Sequence, residues 1–132
     1  MSAPDRAGML RSVIEAAAYA IRANLEQLDE IGGKRAARLR LGGGMSRSRA
    51  FAQIVADVID RPVLVASTPE TSALGAAAIA APALGLHPSI EDAVRAMTGA
   101  MTTIEPDVRR SADYEDHYAR WCALSDEMAR LA

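Results

Sequence analysis

The chain has 132 residues, with 15 lysines and arginines against 17 aspartates and glutamates, and a formal net charge of −2. This length accommodates one domain and is roughly half or less of what a two-lobed enzyme closing over its substrate usually needs. A near-neutral balance of charge gives no chain-wide electrostatic reason to bind nucleic acid or an anionic membrane. We therefore expect one domain without a nucleic-acid or membrane partner, and no self-contained closing enzyme.

The alanine content, the single cysteine and the N-terminal sequence indicate the kind of fold and the cellular compartment. Alanine is frequent and aromatic residues are 4% of the chain, which favours a helix-rich fold with closely packed small side chains. Cys122 is the only cysteine, so no internal disulfide can form, as is typical of a reducing compartment. Met1 to Arg11 is polar and carries no apolar signal region. We expect a cytoplasmic protein.

The first predicted element is a long amphipathic helix. Apolar residues recur at three- and four-residue steps from Leu10 to Leu28. Ser2 and Asp5 are candidate capping residues at its start. Gly32-Gly33 is expected to end the helix, because glycine adopts the left-handed C-terminal conformation without penalty.

The next elements predict a parallel βαβ unit. Apolar residues alternate with arginines from Ala37 to Leu41, which is the period of a strand, and this segment runs into Gly42-Gly43-Gly44. A helical pattern follows from Phe51 to Ile59, and Val63 to Val65 is a short apolar run suited to a buried strand. A strand, helix and strand in this order form a right-handed parallel unit by default.

Beyond this unit the chain is mostly helical. We expect a third helix with Thr68 as its N-cap and Pro69 at its first position, ended or kinked by Pro82 and Gly85. The remaining predictions are a fourth helix capped by Ser89 and running through Met97, a loop over Thr102 to Ser111, and a last helix from Asp113 with an apolar stripe that begins at Tyr114.

The glycine turn is the most informative feature for function. Glycines between a strand and a helix bring unpaired backbone N–H groups, the positive end of the helix dipole and no Cβ bulk to one place, which suits a phosphate or a flat nucleotide ring. The sequence Gly-Gly-Gly-Met-Ser-Arg lacks the Lys-Ser/Thr of a P-loop and does not match the dinucleotide fingerprint. The alternative interpretation is a tight turn whose glycines only permit the backbone path.

Polar residues after the glycines allow the same two interpretations. Ser46 and Ser48 can donate hydroxyl hydrogen bonds to a ligand, and Ser48 can equally be the N-cap of the next helix. Arg47 and Arg49 can meet phosphates, whereas arginines in an exposed loop are more often simply solvated.

No catalytic apparatus stands out. His87 and His117 lack partners at metal-ligand spacing, and Cys122 beside Trp121 favours a packed thiol over a nucleophile. No carboxylate pair stands out as an acid–base couple. The residues by themselves predict a possible ligand-binding turn and nothing that performs chemistry.

Four blocks of the sequence together resemble a known family. They are Leu39 to Ser48, Phe51 to Val58, Arg61-Pro62-Val63, and Glu70 to Ala77. In this order and spacing they resemble the C-terminal domain of the FGGY carbohydrate kinases, the relatives of xylulokinase, glycerol kinase and ribulokinase. The resemblance covers nearly the whole chain but only about the final quarter of the family's length.

The resemblance implies a fold and a function. It implies an α/β fold, a partial actin-like, ribonuclease H-like ATPase domain, in which residues 1–132 are the C-terminal part of the second, nucleotide-binding domain. The family transfers the γ-phosphoryl group of ATP, with Mg²⁺, to a sugar or polyol hydroxyl. By motif match, Gly43, Gly44 and Met45 are expected beside the nucleotide and Ser48 near its base.

The resemblance also implies what is missing. The family's catalytic aspartate, phosphate-binding hairpin, Mg²⁺ ligands and sugar contacts precede the part that matches this chain, so no catalytic residue is assigned and this chain alone is expected to be inactive. Sugar contacts would come from the missing N-terminal domain. An uncovered sheet edge and apolar helix face lead us to expect either self-association into a homo-oligomer or partial disorder. The alternatives are a non-catalytic interaction or regulatory module, and a helical scaffold in which the glycine turn is only structural.

Overall fold

The computed structural model describes residues 5–131. Five α-helices and three strands occur in these residues, with a short 3₁₀ helix between the first strand and the second helix. In chain order they are α1 (Arg6–Gly32), β1 (Leu39–Leu41), the 3₁₀ helix (Gly44–Arg47), α2 (Arg49–Ile59), β2 (Val63–Ala66), α3 (Thr71–Ala83), α4 (Ile90–Met97), β3 (Met101–Ile104) and α5 (Val108–Leu131).

The ends of α1 confirm the capping predicted from the sequence. The Asp5 carboxylate accepts a hydrogen bond from the backbone N–H of Gly8 at 2.6 Å. At the other end Gly33 has φ 64°, the left-handed conformation that closes a helix. Ser2, the other predicted capping residue, lies outside the described residues.

The sheet confirms the predicted parallel unit and adds a strand. β1 pairs with β2 in parallel, with Leu39 opposite Val63, and α2 forms the crossover. β3 pairs with β2 in antiparallel, with Val63 opposite Ile104, so the sheet is mixed and its order is β1-β2-β3. The prediction of a loop beginning at Thr102 was wrong. This four-residue strand buries only Ile104 fully, a pattern too short to recognise without its partner.

The start of α5 also differs from the prediction. The helix begins at Val108 rather than Asp113, because the Asp107 carboxylate accepts the backbone N–H groups of Arg109 and Arg110 at 2.9 and 3.3 Å. The N–H of Asp107 in turn donates to the buried Asp57 carboxylate of α2 at 2.8 Å. A tertiary contact therefore holds the residue that starts the helix.

The predicted start of α3 was wrong by two positions. The helix begins at Thr71 with Glu70 as its N-cap residue, whereas Thr68 and Pro69 lie in the preceding turn. There the Thr68 hydroxyl oxygen accepts from the N–H of Glu70 at 3.4 Å, and the N–H of Thr71 donates to the Pro69 carbonyl at 2.9 Å. The predicted end is confirmed, since the helix ends at Ala83, between Pro82 and Gly85, and Gly85 has φ 68°.

The main core surrounds α2, which contacts α1, α5 and the sheet. One face of α2 is fully buried, through Phe51, Ala52, Val55, Ala56, Val58 and Ile59. α3 and α4 pack on each other around a second, small core of Ala78, Ala81 and Ala93. Among the described helices, none combines the length and apolarity needed to cross a membrane.

Arg22 joins three helices at one side of the main core. Its guanidinium donates to the Val58 carbonyl of α2 at 3.0 Å, to both oxygens of Glu115 on α5 at 2.8 and 2.9 Å, and to Glu26 on α1 at 2.8 Å. It also lies 4.1 Å from the centre of the Tyr118 ring. Burial would lower the pKa of Arg22, but the hydrogen bonds to Glu115 and Glu26 outweigh burial and raise it. The side chain stays charged and fixes α5 against α1 and α2.

We predict that Arg22→Met lowers the free energy of unfolding by about 2 kcal/mol, because the Val58 carbonyl and two carboxylates lose their donor together. Arg11→Met is the matched control, since the Arg11 side chain is 68% exposed beside its partner Glu15 and such pairs contribute roughly 0–1 kcal/mol. Urea unfolding of both variants measures the difference. Equal losses in the two variants would contradict the role given to Arg22.

The same cluster predicts a pH dependence. Burial raises the pKa of Glu26, but hydrogen bonds from Arg22 and Tyr118 outweigh burial and bring it below its ordinary value of 4.5. An acid whose pKa is lowered on folding stabilises the fold fully above its unfolded-state pKa, and this stabilisation is lost as the pH falls through the native pKa. We expect the urea concentration at the unfolding midpoint to decrease as the pH is lowered below 4.5. This decrease should be less steep for Glu26→Gln than for the wild type. Glu30→Gln is the control, and an identical slope for Glu26→Gln and the wild type would refute the prediction.

Candidate functional site

The glycine turn lies where β1 ends and α2 begins. Because β1 and β2 are parallel, the segments that follow them leave the sheet at the same edge. The segment after β2 leads into α3, so the start of α3 lies beside the glycine turn. Residues 42–48 and 67–71 therefore form the candidate site together.

The structure gives a different account of why glycine occupies each of the three positions. A Cβ on Gly42 would lie 2.6 Å from Cγ2 of Thr71, so Gly42 allows the turn to approach α3. Gly43 has φ 87° and ψ 178°, a conformation that is essentially restricted to glycine. A Cβ on Gly44 would meet nothing within 4 Å and its φ is not in the left-handed region. Packing and backbone conformation account for Gly42 and Gly43, and neither accounts for Gly44.

Serine side chains hold the inner side of the turn. Ser46 is buried, and its hydroxyl donates to the Gly43 carbonyl at 2.7 Å. The Ser48 hydroxyl oxygen accepts the N–H of Phe51 at 3.2 Å as the N-cap of α2. The structural interpretation of Ser48 is thereby confirmed, and Ser46 is turned toward the backbone of the turn.

The outer side of the turn is held by an ion pair that the sequence analysis missed. Arg47 donates to Glu70, at the start of α3, at 2.9 Å. The feature of the sequence that could have predicted this ion pair is the parallel arrangement of the two strands, which brings the segments after them to one edge of the sheet. The sequence pattern around Glu70 indicated only the start of a helix.

The exposed part of the turn consists of Gly44 and Met45. They are the first two residues of the 3₁₀ helix, and their N–H groups find no backbone acceptor in the described part of the chain. The Met45 side chain is more than half exposed. Two free donors and a polarisable apolar side chain therefore face solvent beside an open space at Gly44.

Two hollows flank the turn. One of about 300 Å³ lies between the turn, Gln53 of α2 and strand β3, and includes Ser46 and Arg47 in its wall. The other, of about 390 Å³, lies between the sheet and α3 and includes Gly42 and Thr71. Each has the size of a small-molecule site.

Two candidate residues lie away from the turn. His117 is exposed on α5, and Cys122 is half-buried against the main core, in agreement with a packed thiol. Arg49 lies in the wall of the hollow that includes Ser46 and Arg47, and it forms no ion pair with any residue in 5–131. The described residues contain no group of three or more side chains suited to hold a metal ion.

The arrangement of helices and strands is that of part of a sugar kinase. The xylulose kinase from Rhodospirillum rubrum superimposes with a TM-score of 0.78 and 31% sequence identity, covering 99% of this chain and 27% of that protein. This class of α/β kinase is also found among sequence relatives. Glycerol kinase from Acidiphilium cryptum is 36% identical over 116 residues, 88% of this chain and 23% of the relative. Erythritol kinase from Brucella abortus is 32% identical over 86% of this chain and 21% of the relative.

A sequence model described as the FGGY family of carbohydrate kinases, C-terminal domain, matches residues 1–84. The chain belongs to the FGGY family of carbohydrate kinases. It spans about a quarter of the length of the curated relatives that it matches. The resemblance inferred from the four sequence blocks is confirmed.

The glycine geometry gives a prediction about folding. Gly43→Ala should lower the free energy of unfolding by about 2 kcal/mol, because alanine would be strained in the backbone conformation of Gly43. Gly44→Ala should change it by less than about 0.5 kcal/mol, since the added methyl group meets nothing. Chemical denaturation of the two variants tests this prediction. Equal destabilisation would contradict the claim that the backbone conformation requires glycine at position 43 and not at position 44.

Proposed function

We propose that this chain is the ATP-binding C-terminal part of an ATP-dependent carbohydrate kinase that phosphorylates a hydroxyl of a sugar or polyol. In this proposal residues 1–132 belong to the second, nucleotide-binding domain of an actin-like, ribonuclease H-like kinase located in the cytoplasm. The observation that carries the proposal is the open glycine turn of a chain that belongs to the FGGY family.

The turn fits a nucleotide in three respects. A Cβ on Gly44 would meet no atom of residues 5–131 within 4 Å, so a ring or phosphate can approach the backbone closely. The free N–H groups of Gly44 and Met45 are donors for an anion or a ribose oxygen. We place Gly43, Gly44 and Met45 beside the nucleotide, and Ser48 near the base through its position at the start of α2.

The role of this part of the kinase is to hold ATP. ATP supplies the γ-phosphoryl group, and phosphoryl transfer depends mainly on positioning and on stabilising charge. Glu70 lies against the turn, but its carboxylate is paired with Arg47. We therefore propose that the general base, the Mg²⁺ ligands and the sugar contacts come from outside these 132 residues, and that this chain alone is inactive.

A second candidate function is a non-catalytic interaction module, and the surface of α5 favours it. Leu124, Met128 and Leu131 on its last turns are all more than half exposed, which is the kind of apolar surface that another protein can cover. The same surface supports the expectation of a homo-oligomer. Binding of nucleotide by the turn distinguishes the kinase part from a module that keeps only the fold.

We expect calorimetry to detect ADP binding by the wild-type chain and Gly44→Leu to weaken it at least about ten-fold, because the larger side chain fills the open space at the turn. Gly32→Leu is the matched control. A Cβ on Gly32, at the end of α1, also meets nothing within 4 Å, but Gly32 lies outside the site.

Equal affinities of Gly44→Leu and Gly32→Leu for ADP would show that the nucleotide does not bind at the turn. No binding by the wild type would favour the non-catalytic module. Turnover of ATP with a pentose or polyol by this chain alone would refute the expected inactivity.

A further inference from the structure

The α3–α4 pair is a separate packing unit within the described structure. Its two helices contact each other far more than they contact any other element, and their small core contains Ala78, Ala81 and Ala93. Such a unit is joined to the main core by few apolar contacts. Its position therefore depends on the specific contacts at its edge.

Two of those contacts are made with the glycine turn. Thr71, the first residue of α3, lies against Gly42 so closely that a Cβ there would be 2.6 Å from its methyl carbon. Glu70, one residue earlier, accepts from the Arg47 guanidinium at 2.9 Å. The turn and the start of α3 are thus joined by a close packing contact and an ion pair.

The ion pair acts on the outer side of the turn, where the Ser48 N–H also donates to the Met45 carbonyl at 3.0 Å. Ser46 and Ser48 hold the inner side through hydrogen bonds to the Gly43 carbonyl and from the Phe51 N–H. Gly44 and Met45 face solvent on the outer side, and Arg47 is the last residue of their 3₁₀ helix. A side chain anchored at Arg47 limits how far this exposed half of the turn can move.

We propose that Glu70 is a positioning residue that latches the exposed half of the glycine turn to α3 through Arg47, and so sets the affinity of the turn for a nucleotide. This inference rests on the proposed function. It adds a residue that does not belong to the glycine turn and that lies 26 positions after Gly44 in the chain.

Exposure separates this role from a role in stability. The Arg47 and Glu70 side chains are 67% and 71% exposed, and ion pairs this exposed contribute little to folding. Removing the pair should leave the fold intact. The effect of removing the pair should be a less ordered turn. This effect should disappear at high salt, where exposed charges are screened.

The first test measures ADP affinity by calorimetry. We expect Glu70→Gln and Arg47→Gln each to weaken binding about three-fold at low salt, the double variant to be no weaker than either, and the charge swap Arg47→Glu with Glu70→Arg to restore much of the loss. Glu91→Gln, a carboxylate of α4 away from the turn, is the control and should bind ADP as the wild type does. Independent, multiplying losses from Arg47 and Glu70 would overturn the latch.

The second test needs no ligand. Amide hydrogen exchange should be faster in Glu70→Gln than in Glu91→Gln at Ser46 and Ser48, whose N–H groups donate to the Gly43 and Met45 carbonyls, with exchange in α2 unchanged. Equal exchange at the turn would overturn the latch whatever the ADP result. An unchanged ADP affinity in Glu70→Gln, beside a wild type that binds, would overturn the positioning role alone, whereas a wild type that binds no ADP would remove the proposed function and the positioning role with it.

Discussion

The charge of Arg22 is satisfied at the junction of α1, α2 and α5, and the packing of these three helices around the main core depends on this junction. A partly buried guanidinium is costly unless its donors are occupied, and here they reach a carbonyl of α2, a carboxylate of α5 and a carboxylate of α1. The apolar contacts of α2 favour burial without a fixed orientation, whereas the hydrogen bonds of Arg22 favour the arrangement that brings all three acceptors to one guanidinium.

Further contacts hold α2, the helix that carries the candidate site at its N-terminal end. Arg22 binds near the C-terminal end of α2 at Val58. Within the same helix the buried Asp57 carboxylate accepts from Gln53 and from the backbone of Asp107, each at 2.8 Å, which ties α2 to the start of α5. The N-terminal end of α2 begins at the cap of Ser48. The glycine turn is therefore attached to a helix that is held along its length, and its free half is the part available to a ligand.

Features encoded by neighbouring residues were predictable from the sequence. The capping by Asp5, the left-handed Gly33, the cap at Ser48 and the parallel pairing of β1 with β2 follow from side-chain chemistry within a few positions or from chain direction. Strand β3 and the start of α5 were not predictable. The first needs the edge of β2 to supply its hydrogen bonds, and the second is set by Asp107 together with Asp57, fifty positions away in the chain.

For the candidate site, the sequence determined the glycines, the cap at Ser48 and membership of the FGGY family, because these depend on short motifs in a fixed order. The tertiary structure decided which glycine has no packing or conformational reason, since that distinction needs φ angles and the position of Thr71. It also brought Glu70 to Arg47. Residues that meet across parallel strands are separated by a whole helix in the chain, and only the folded sheet brings them to the same edge.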